Sequence, residues 1–230
     1  MEIKKIPKLL IVFSLFFFSS LWQLIGLKIF NYDVNNLTDF NTIVLTTFSE
    51  VITLIILIII YRKELKNDFK SLKNNFNKNM DITVKSWLIG LLIMFVSNII
   101  IGLFVSKATA GNEENVQTLI KASNYLSIFT FGIVGPMVEE LVFRKSFRDV
   151  FKKEWLFILV SGLVFGGLHV VLSLTSLWDL FYLIPYCSLG IAFGYIYVKT
   201  DNIYYSMFIH IFHNVLFTIL SVYGIGVILW

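Results

Sequence analysis

A pair of adjacent glutamates inside a hydrophobic stretch is the feature of this sequence that most needs a chemical explanation. The stretch reads VGPMVEELVFRKSF and contains Glu139 and Glu140, with Arg144 one helical turn later. Because residues four apart share one face of a helix, Glu140 and Arg144 are predicted to form a charge-assisted pair. Glu139 points about 100° away from Glu140 and is left free to face a different partner. Pro136 predicts a kink that makes room for water beside the carboxylates.

Two other hydrophobic stretches carry hydrogen-bonding side chains. FGGLH places His169 one turn after Phe165, and HIFHN places His210 and Asn214 four residues apart on one helix face. Imidazole and carboxamide groups both donate hydrogen bonds, so His210 and Asn214 are suited to stabilise a developing oxyanion. His213, in the same stretch, is interpreted as an interhelical hydrogen-bonding or structural residue.

These three groups lie on three separate hydrophobic segments and together supply a carboxylate base, a histidine that positions water and donors for an oxyanion. That combination favours hydrolysis of an amide bond. Each group also has a structural interpretation: an ion pair for Glu140, a backbone-bonded buried histidine for His169, and interhelical hydrogen bonds for the last pair. A glutamate and two histidines can bind zinc as well, but His169 and His210 come from different segments and form no HExxH arrangement. Zinc therefore stays the alternative to a reaction without a cofactor.

The composition is that of a membrane protein. The chain has 230 residues, of which 57% are hydrophobic and 15% charged, whereas a soluble domain carries about a quarter charged residues. A single cysteine, Cys187, excludes an intramolecular disulfide and a cysteine-based metal cluster. No stretch resembles a nucleotide-binding loop or a nucleic-acid surface, so membrane lipids are the expected surroundings. The abundance of Lys, Asn, Ile and Phe indicates an AT-rich, bacterial genome.

Seven hydrophobic runs are long enough to cross a bilayer whose apolar core is about 30 Å thick. The sequence therefore predicts an all-α, polytopic membrane helix bundle with about seven (six to eight) transmembrane helices. The first run follows a basic start and resembles a signal peptide, but it is too long and lacks a cleavage site, so a retained anchor is expected. The predicted spans are residues 8–30, 41–61, 86–106, 123–143, 155–173, 178–198 and 203–225.

The charges between the spans predict an orientation in the cell membrane. Segments 62–85 and 144–154 are basic, whereas the loops at 31–40 and 107–122 hold only two lysines. By the positive-inside rule the N-terminus and the basic segments are cytoplasmic and the C-terminus is outside. Segment 62–85 is interpreted as a solvated topology signal, with contact to anionic lipid as the alternative.

The depth of the site requires a longer fourth helix. Glu139 falls near the cytoplasmic end of its predicted span, whereas His169 lies about 21 Å into its own. The fourth helix is therefore predicted to continue past Arg144 as an amphipathic extension with basic side chains reaching water. Other polar residues in the spans are interpreted as structural, near span ends or bonded to a neighbouring helix: Gln23, Glu50, Asn98 and Asp179.

Glycine spacing predicts close contact between two of the helices. Gly162 and Gly166 are four residues apart before His169, and Gly190 and Gly194 repeat the spacing in the next span. Small residues at this spacing let helix backbones approach one another.

The order of the three motifs resembles that of a known family. EELVFR, FGGLH and HIFHN fit the patterns EExxxR, FxxxH and HxxxN, and this resembles the CPBP family of CAAX proteases and bacteriocin-processing enzymes, also called the Abi family. The resemblance implies a catalytic helical core at residues 123–230, preceded by N-terminal transmembrane helices and a basic cytoplasmic loop at residues 1–122.

The resemblance also implies roles. The chain would be an intramembrane endopeptidase that cleaves a membrane-associated peptide or membrane protein without a cofactor. Glu139 would be the general base, with His169 holding the water and His210 and Asn214 forming the oxyanion hole. The supporting residues would be Glu140, Arg144 and Phe165. A non-catalytic immunity or binding protein of the same fold, a small transporter with a proton-relaying carboxylate, and a zinc-dependent protease are the alternatives.

Overall fold

The computed structural model describes residues 2–104, 111–174 and 176–223, and over these residues the protein is helical with no β-strand. The predicted all-α bundle is therefore confirmed. The helices are α1 Ile6–Phe17, α2 Leu21–Ile29, α3 Asp39–Ser71, α4 Phe76–Phe104, α5 Gly111–Ala122, α6 Asn124–Val150, α7 Glu154–Val171, α8 Leu183–Thr200 and α9 Ile203–Val222, with short 3-10 turns at Ile3–Lys5, Val34–Asn36 and Leu177–Tyr182.

The number of membrane spans agrees with the sequence prediction. In the described part of the chain, six helices are long and apolar enough to cross a membrane, and the pair α1–α2, bent by 46°, makes a seventh if it is counted as one span. The protein is thus a multi-pass membrane protein. Of the predicted spans and loops, residues 105–110, 224 and 225 lie outside the described residues.

Segment 62–85, predicted as a loop, is almost entirely helical. Helix α3 runs to Ser71 and α4 begins at Phe76, so a turn of four residues joins them. Asn75 in this turn has a positive φ of 53°, a conformation that asparagine adopts more readily than most residues. Within the segment Lys85 pairs with Asp81 along the helix surface at 2.8 Å, which stabilises the helix by about 0.2–0.5 kcal/mol.

Segment 144–154 was also predicted as a loop, and most of it belongs to α6. The helix continues to Val150, as the depth argument required, and places Glu139 near its middle instead of its end. It stops short of the predicted extension, because residues 151–153 are not helical. Arg144 is fully buried and Lys145 is 7% exposed, so these two residues belong to the bundle interior and not to a solvated loop.

Helix α6 contains π-helical turns on both sides of Pro136. Residues Ile128–Val134 and Glu140–Ser146 have the π-helical pattern, and they flank the proline on both sides. The N–H of Gly135 accordingly bonds to the carbonyl of Thr130, five residues earlier. The sequence predicted a kink at Pro136, and the structure has π-helical turns on both sides of the proline. Such turns occur frequently at functional sites.

Helices α7 and α8 pack at backbone distance through glycine. A Cβ atom at Gly162 would lie 2.6 Å from Ile191 Cγ1, and one at Gly166 would lie 2.5 Å from Cys187 Sγ. A Cβ at Gly190 would lie 2.8 Å from the Gly162 carbonyl oxygen, whereas one at Gly194 would make an ordinary contact at 3.6 Å. The predicted close approach is confirmed, and three of the four glycines require it.

Ion pairs tie the N-terminus and the ends of α3 and α6 together on one side of the bundle. Lys8 Nζ lies 3.0 Å from Glu64 Oε1 and 3.5 Å from Asp149 Oδ2. Lys145 Nζ lies 2.9 Å from Asp68 Oδ2. The segments with the most basic residues therefore share one end of the bundle.

Candidate active site

The motif residues converge on one cavity of about 250 Å³ in the bundle. Helices α3, α6, α7, α8 and α9 each contribute polar or aromatic side chains to its wall. The polar and aromatic residues of the wall include Glu50, Glu139, Phe165, His169, Tyr186, Phe193, His210, His213 and Asn214.

Glu139 lies between the two histidines that the sequence analysis singled out. Its Oε1 atom is 3.7 Å from His169 Nε2, and its Oε2 atom is 3.5 Å from His210 Nε2. The side chain is 18% exposed, so the carboxylate is open to the cavity. The two separations are longer than direct hydrogen bonds, and the three groups can therefore share a small polar molecule such as water.

Glu140 lies behind the cavity and not on its wall. Its Oε1 atom is 2.9 Å from His210 Nδ1 and 3.5 Å from Arg144 Nε, and both acid and guanidinium side chains are fully buried. Glu140 and Arg144 lie on the same helix face, as the sequence predicted. His210 also contacts Glu140, which the spacing of the motif did not indicate. The charge-assisted hydrogen bond from His210 to Glu140 orients the imidazole ring.

Phe165 is surrounded by the motif residues. Its ring centroid is 4.5 Å from the guanidinium carbon of Arg144, 4.6 Å from the ring of His169 and 5.7 Å from the ring of His210. The arginine also donates from Nη2 to the Gly190 carbonyl at 3.2 Å, while Nε and Nη1 form no hydrogen bond with the described residues. Cation–π contact with Phe165 therefore stabilises part of the buried charge.

The backbone and aromatic rings fix how the two histidines present their Nε2 atoms. His169 Nδ1 lies 2.9 Å from the Phe165 carbonyl oxygen, which can only accept, so the proton of the neutral ring sits on Nδ1. The Tyr186 ring stacks on His169 at 5.1 Å, and the Phe193 ring stacks on His210 at 4.4 Å. His210 Nδ1 likewise faces the Glu140 carboxylate, which leaves a lone pair on Nε2 of each neutral ring.

Asn214 bonds to a backbone carbonyl that Pro136 leaves without its helical partner. In the π-helical pattern each carbonyl bonds to the N–H five residues later, and the residue five after Phe131 is Pro136, which has no N–H. Asn214 Nδ2 donates to the Phe131 oxygen at 3.0 Å instead. One amide hydrogen is therefore committed to α6, and the other remains for the cavity.

His213 also lines the cavity, and a tryptophan holds it in place. Trp87 Nε1 donates to His213 Nδ1 at 3.3 Å, and both side chains are buried. This agrees with the structural interpretation of His213. Trp87 was missed because it lies on α4, far from the motifs, where an isolated aromatic residue in a hydrophobic span gives no signal of its partner.

Three further cavity residues, Glu50, Tyr186 and Phe193, were given no part in the chemistry. Glu50 was interpreted as structural, near a span end or bonded to a neighbouring helix, but it lies in the twelfth position of the 33-residue helix α3 and lines the cavity. Its position within a hydrophobic span was the signal, since ionisable groups there mark sites. Tyr186, Gly190 and Phe193 have a three-to-four-residue spacing that places two aromatic rings on the glycine face of α8. That pattern could have indicated their contact with the site.

Two other polar residues in the spans have different surroundings. Asp179 Oδ2 accepts from the Ser176 N–H at 3.0 Å and caps a 3-10 turn, which agrees with its structural interpretation. Asn98 Oδ1 is buried and forms no hydrogen bond with the described residues. Over residues 2–104, 111–174 and 176–223, no group of three or more His, Cys, Asp or Glu side chains is arranged to hold a metal ion.

The fold and this cavity define a multi-pass helical membrane protein with a buried site of carboxylate, imidazole and carboxamide groups. Residues 121–216 match the family model described as Type II CAAX prenyl endopeptidase Rce1-like. That segment contains all three motifs. The resemblance inferred from the motifs is therefore confirmed, and the chain carries an Rce1-like region over this segment.

Bacterial membrane proteins are among the relatives of the chain. It is 31% identical over 114 residues to "Putative membrane peptidase YdiL" of Bacillus subtilis, an alignment that covers 47% of this chain and 43% of the relative. It is 27% identical over 140 residues to "Membrane-embedded CAAX protease MroQ" of Staphylococcus aureus, covering 55% of this chain and 53% of the relative.

A longer alignment extends beyond the motif region. The chain is 26% identical over 221 residues to an uncharacterized protein of Mycoplasma capricolum, covering 89% of this chain and 62% of the relative. The alignments thus span about half the length of the Bacillus and Staphylococcus relatives and about three fifths of the Mycoplasma one. No solved structure matches the chain.

Proposed function

We propose that the protein is an intramembrane endopeptidase that hydrolyses a peptide bond of a membrane-associated peptide or membrane protein with water activated by Glu139. The observation that carries this proposal is the position of the Glu139 carboxylate, 3.7 Å from His169 Nε2 and 3.5 Å from His210 Nε2 at a cavity inside the bundle. The names of the CAAX-protease relatives and the Rce1-like match support the same reaction class.

In this mechanism His169 holds the attacking water and Glu139 takes its proton. Because His169 Nδ1 bonds to a backbone carbonyl, its Nε2 atom accepts one hydrogen of the water. The second hydrogen faces Glu139, which acts as the general base when the water oxygen attacks the scissile carbonyl. The same carboxyl group can then return the proton to the leaving amine.

His210 and Asn214 stabilise the tetrahedral oxyanion in this proposal. Asn214 offers the amide hydrogen that Phe131 does not occupy. His210 can donate from Nε2 only when it carries a second proton, because its Nδ1 hydrogen faces Glu140. Glu140 lies against the ring and balances the charge of that imidazolium. Glu140 and Arg144 thus act through His210 and do not touch the substrate.

The proposed orientation puts the N-terminus in the cytoplasm. The contacts of Lys8 with Glu64 and Asp149 place the N-terminus beside the ends of α3 and α6. Segment 62–85, which is rich in lysine, begins near the same end. A membrane protein retains its basic residues on the cytoplasmic side, so this end is cytoplasmic in the proposal.

Comparative peptidomics tests the proposed activity. Membranes from cells that produce wild-type protein or Glu139→Ala protein at equal levels are compared for peptides released from membrane proteins and leader peptides. The expected result is a set of cleavage products that is present with wild-type protein and lost with the variant. Identical peptide sets would refute the endopeptidase, and loss of an ion flux in the variant would instead favour a transporter.

A further inference from the structure

Glu50 is a cavity residue that neither the motifs nor the mechanism above uses. It lies on α3, outside the Rce1-like segment, and its side chain lines the same cavity as Glu139. The cavity wall thus carries two carboxylates from two different helices. The second one needs its own explanation, since a carboxylate within a membrane span is costly to retain.

No described residue provides a partner for the Glu50 carboxylate. Glu139 faces two histidines, whereas Glu50 forms no hydrogen bond or ion pair within the described part of the chain. No lysine or arginine of that part lines the cavity. The buried Arg144 is committed to Glu140 and to the Gly190 carbonyl.

The hydroxyl groups around Glu50 on α3 are also committed to other acceptors. Thr47 Oγ1 bonds to the Ile43 carbonyl at 2.7 Å and contacts the Thr130 hydroxyl at 2.6 Å. Ser49 donates to the Ser19 carbonyl at 2.7 Å, and Thr53 donates to the Ser49 carbonyl at 2.9 Å. The Glu50 carboxylate therefore faces the cavity without a hydrogen-bond donor from the described residues. Such a carboxylate can bind a cation or a strong hydrogen-bond donor of a ligand.

The position of Glu50 along the bundle can be compared with that of Glu139. Helices α3 and α6 run in the same direction, since Thr47 contacts Thr130 near their starts and Asp68 contacts Lys145 near their ends. Glu50 follows Thr47 by three residues and Glu139 follows Thr130 by nine. Counted from either contact, Glu50 lies nearer the starts of the two helices than Glu139 does, so the two carboxylates stand at different depths of one cavity.

We propose that Glu50 binds a lysine or arginine side chain of the substrate and makes the site selective for a basic residue near the scissile bond. This inference rests on the proposed endopeptidase function. Because Glu50 and Glu139 line one cavity, the basic residue lies within a few positions of the bond that Glu139 attacks. The cavity that the two carboxylates line has a volume of about 250 Å³.

A cleavage profile tests the selectivity. The full-length protein in phospholipid nanodiscs is incubated with bacterial peptides made by a glutamate-specific protease, which leaves lysine and arginine inside the peptides. Wild-type protein is expected to prefer a basic residue at one fixed position near the cut by about tenfold to a hundredfold, the range for a hydrogen bond to a charged group. Glu50→Gln should lose that preference.

Glu64→Gln is the matched control, because it removes a glutamate from the same helix at the end where Lys8 binds it. This variant should keep the basic preference of the wild type. A wild-type profile without the preference would overturn the role of Glu50, and so would a Glu50→Gln profile that retains it.

A binding experiment separates this inference from the failure of the proposed function. Two apolar peptides that differ only by lysine or norleucine at one position are titrated into Glu139→Gln protein with and without the additional Glu50→Gln change. Tighter binding of the lysine peptide that disappears with Glu50→Gln supports the cation site even if wild-type protein cleaves nothing. Equal binding of the two peptides to the Glu139→Gln protein overturns it.

Discussion

His210 Nδ1 lies 2.9 Å from Glu140 Oε1 and joins two motif segments that are 70 residues apart in the sequence. Glu140 faces away from the cavity, yet this contact turns the other ring nitrogen of His210 toward Glu139. The adjacent glutamates therefore have separate surroundings. Glu139 is open to the cavity, whereas Glu140 is enclosed by His210 and Arg144.

Replacement of Glu139 by glutamine tests the general base. Glutamine keeps the size of the side chain but cannot take a proton from water. We expect peptide release in reconstituted membranes to fall by about 10²- to 10⁴-fold, the usual contribution of a general base. Thermal unfolding in detergent should change little, because Glu139 lines the cavity and forms no short hydrogen bond.

Glu154→Gln is the control for this replacement. Glu154 lies at the start of α7 and pairs with Lys199 at 3.1 Å, and both side chains are largely exposed. It should retain full peptide release. Undiminished release by the Glu139→Gln protein would contradict the proposed mechanism.

Replacement of Glu140 tests support of the site from behind. Glu140→Gln removes the charge that faces both His210 and the buried Arg144, which is 0% exposed. An unpaired buried charge costs about 3–5 kcal/mol, so the melting temperature should drop along with the activity. The double variant Glu140→Gln, Arg144→Met should lose less unfolding free energy than the sum of the losses in the two single variants. The second change removes the buried charge that the first one leaves unpaired.

The loss of stability distinguishes Glu140 from Glu139. A Glu140→Gln protein as stable as wild type would show that the ion pair does not hold the site together. The melting temperature of Glu139→Gln, measured in the same detergent, serves as the reference for loss of a carboxylate that faces a cavity.

The spans and the convergence of the motifs could be predicted from the sequence because each depends on a local property. Hydrophobic length gives the helices, and a polar residue within such a length indicates a site, as with Glu139 and His169. Helix ends were less accurate. The charges of Lys145 and Lys85 suggested loops, although Lys145 pairs with Asp68 inside the bundle and Lys85 pairs along the surface of α4.

Contacts between distant segments were the part that the sequence did not reveal. Trp87 donates to His213 across 126 residues, and Glu50 enters the cavity from α3. Neither residue has a neighbour in sequence that indicates its partner. Such contacts depend on the rotation of each helix about its axis and on its register against its neighbours. A single sequence predicts helix length well but constrains rotation and register only weakly.

Two neighbouring glycines of α7 provide a matched test of helix packing. A methyl group at Gly166 would lie 2.5 Å from Cys187 Sγ and 2.6 Å from its backbone nitrogen, whereas one at Gly167 would meet no atom within 4 Å. Gly166→Ala should therefore destabilise the protein by about 1–3 kcal/mol through overpacking. Gly167→Ala should be neutral or stabilise the helix by up to about 1 kcal/mol.

Thermal unfolding in detergent and peptide release are measured for both variants. Gly166→Ala is expected to lower activity as well, because the shift of α7 against α8 moves His169 away from Glu139. Equal melting temperatures for Gly166→Ala and Gly167→Ala would contradict the backbone packing of α7 on α8.

Chelation tests whether zinc takes part in the reaction. The described residues contain no group of three or more His, Cys, Asp or Glu side chains arranged to hold a metal ion. The proposed reaction uses carboxylate, imidazole and amide groups alone, so we expect peptide release to persist after dialysis against EDTA. A loss of activity that added zinc restores would instead favour the zinc-dependent alternative.

Two lysine–aspartate pairs with different burial give the last prediction. Lys145 and Asp68 lie 2.9 Å apart with side chains 9% and 15% exposed, whereas Lys85 and Asp81 lie 2.8 Å apart with side chains 71% and 57% exposed. Lys145→Met leaves Asp68 with a mostly buried, uncompensated charge, and we expect it to lower the free energy of unfolding by about 1.5–3 kcal/mol. Lys85→Met should cost less than about 1 kcal/mol, because water screens the exposed pair.

Since Asp68 also faces the start of α9 through the Ile203 N–H at 3.5 Å, the Lys145 variant should loosen the helix that carries His210. Thermal unfolding at low and high salt checks both values, and equal losses in the two variants would show that Lys145 does not hold α6 against α3.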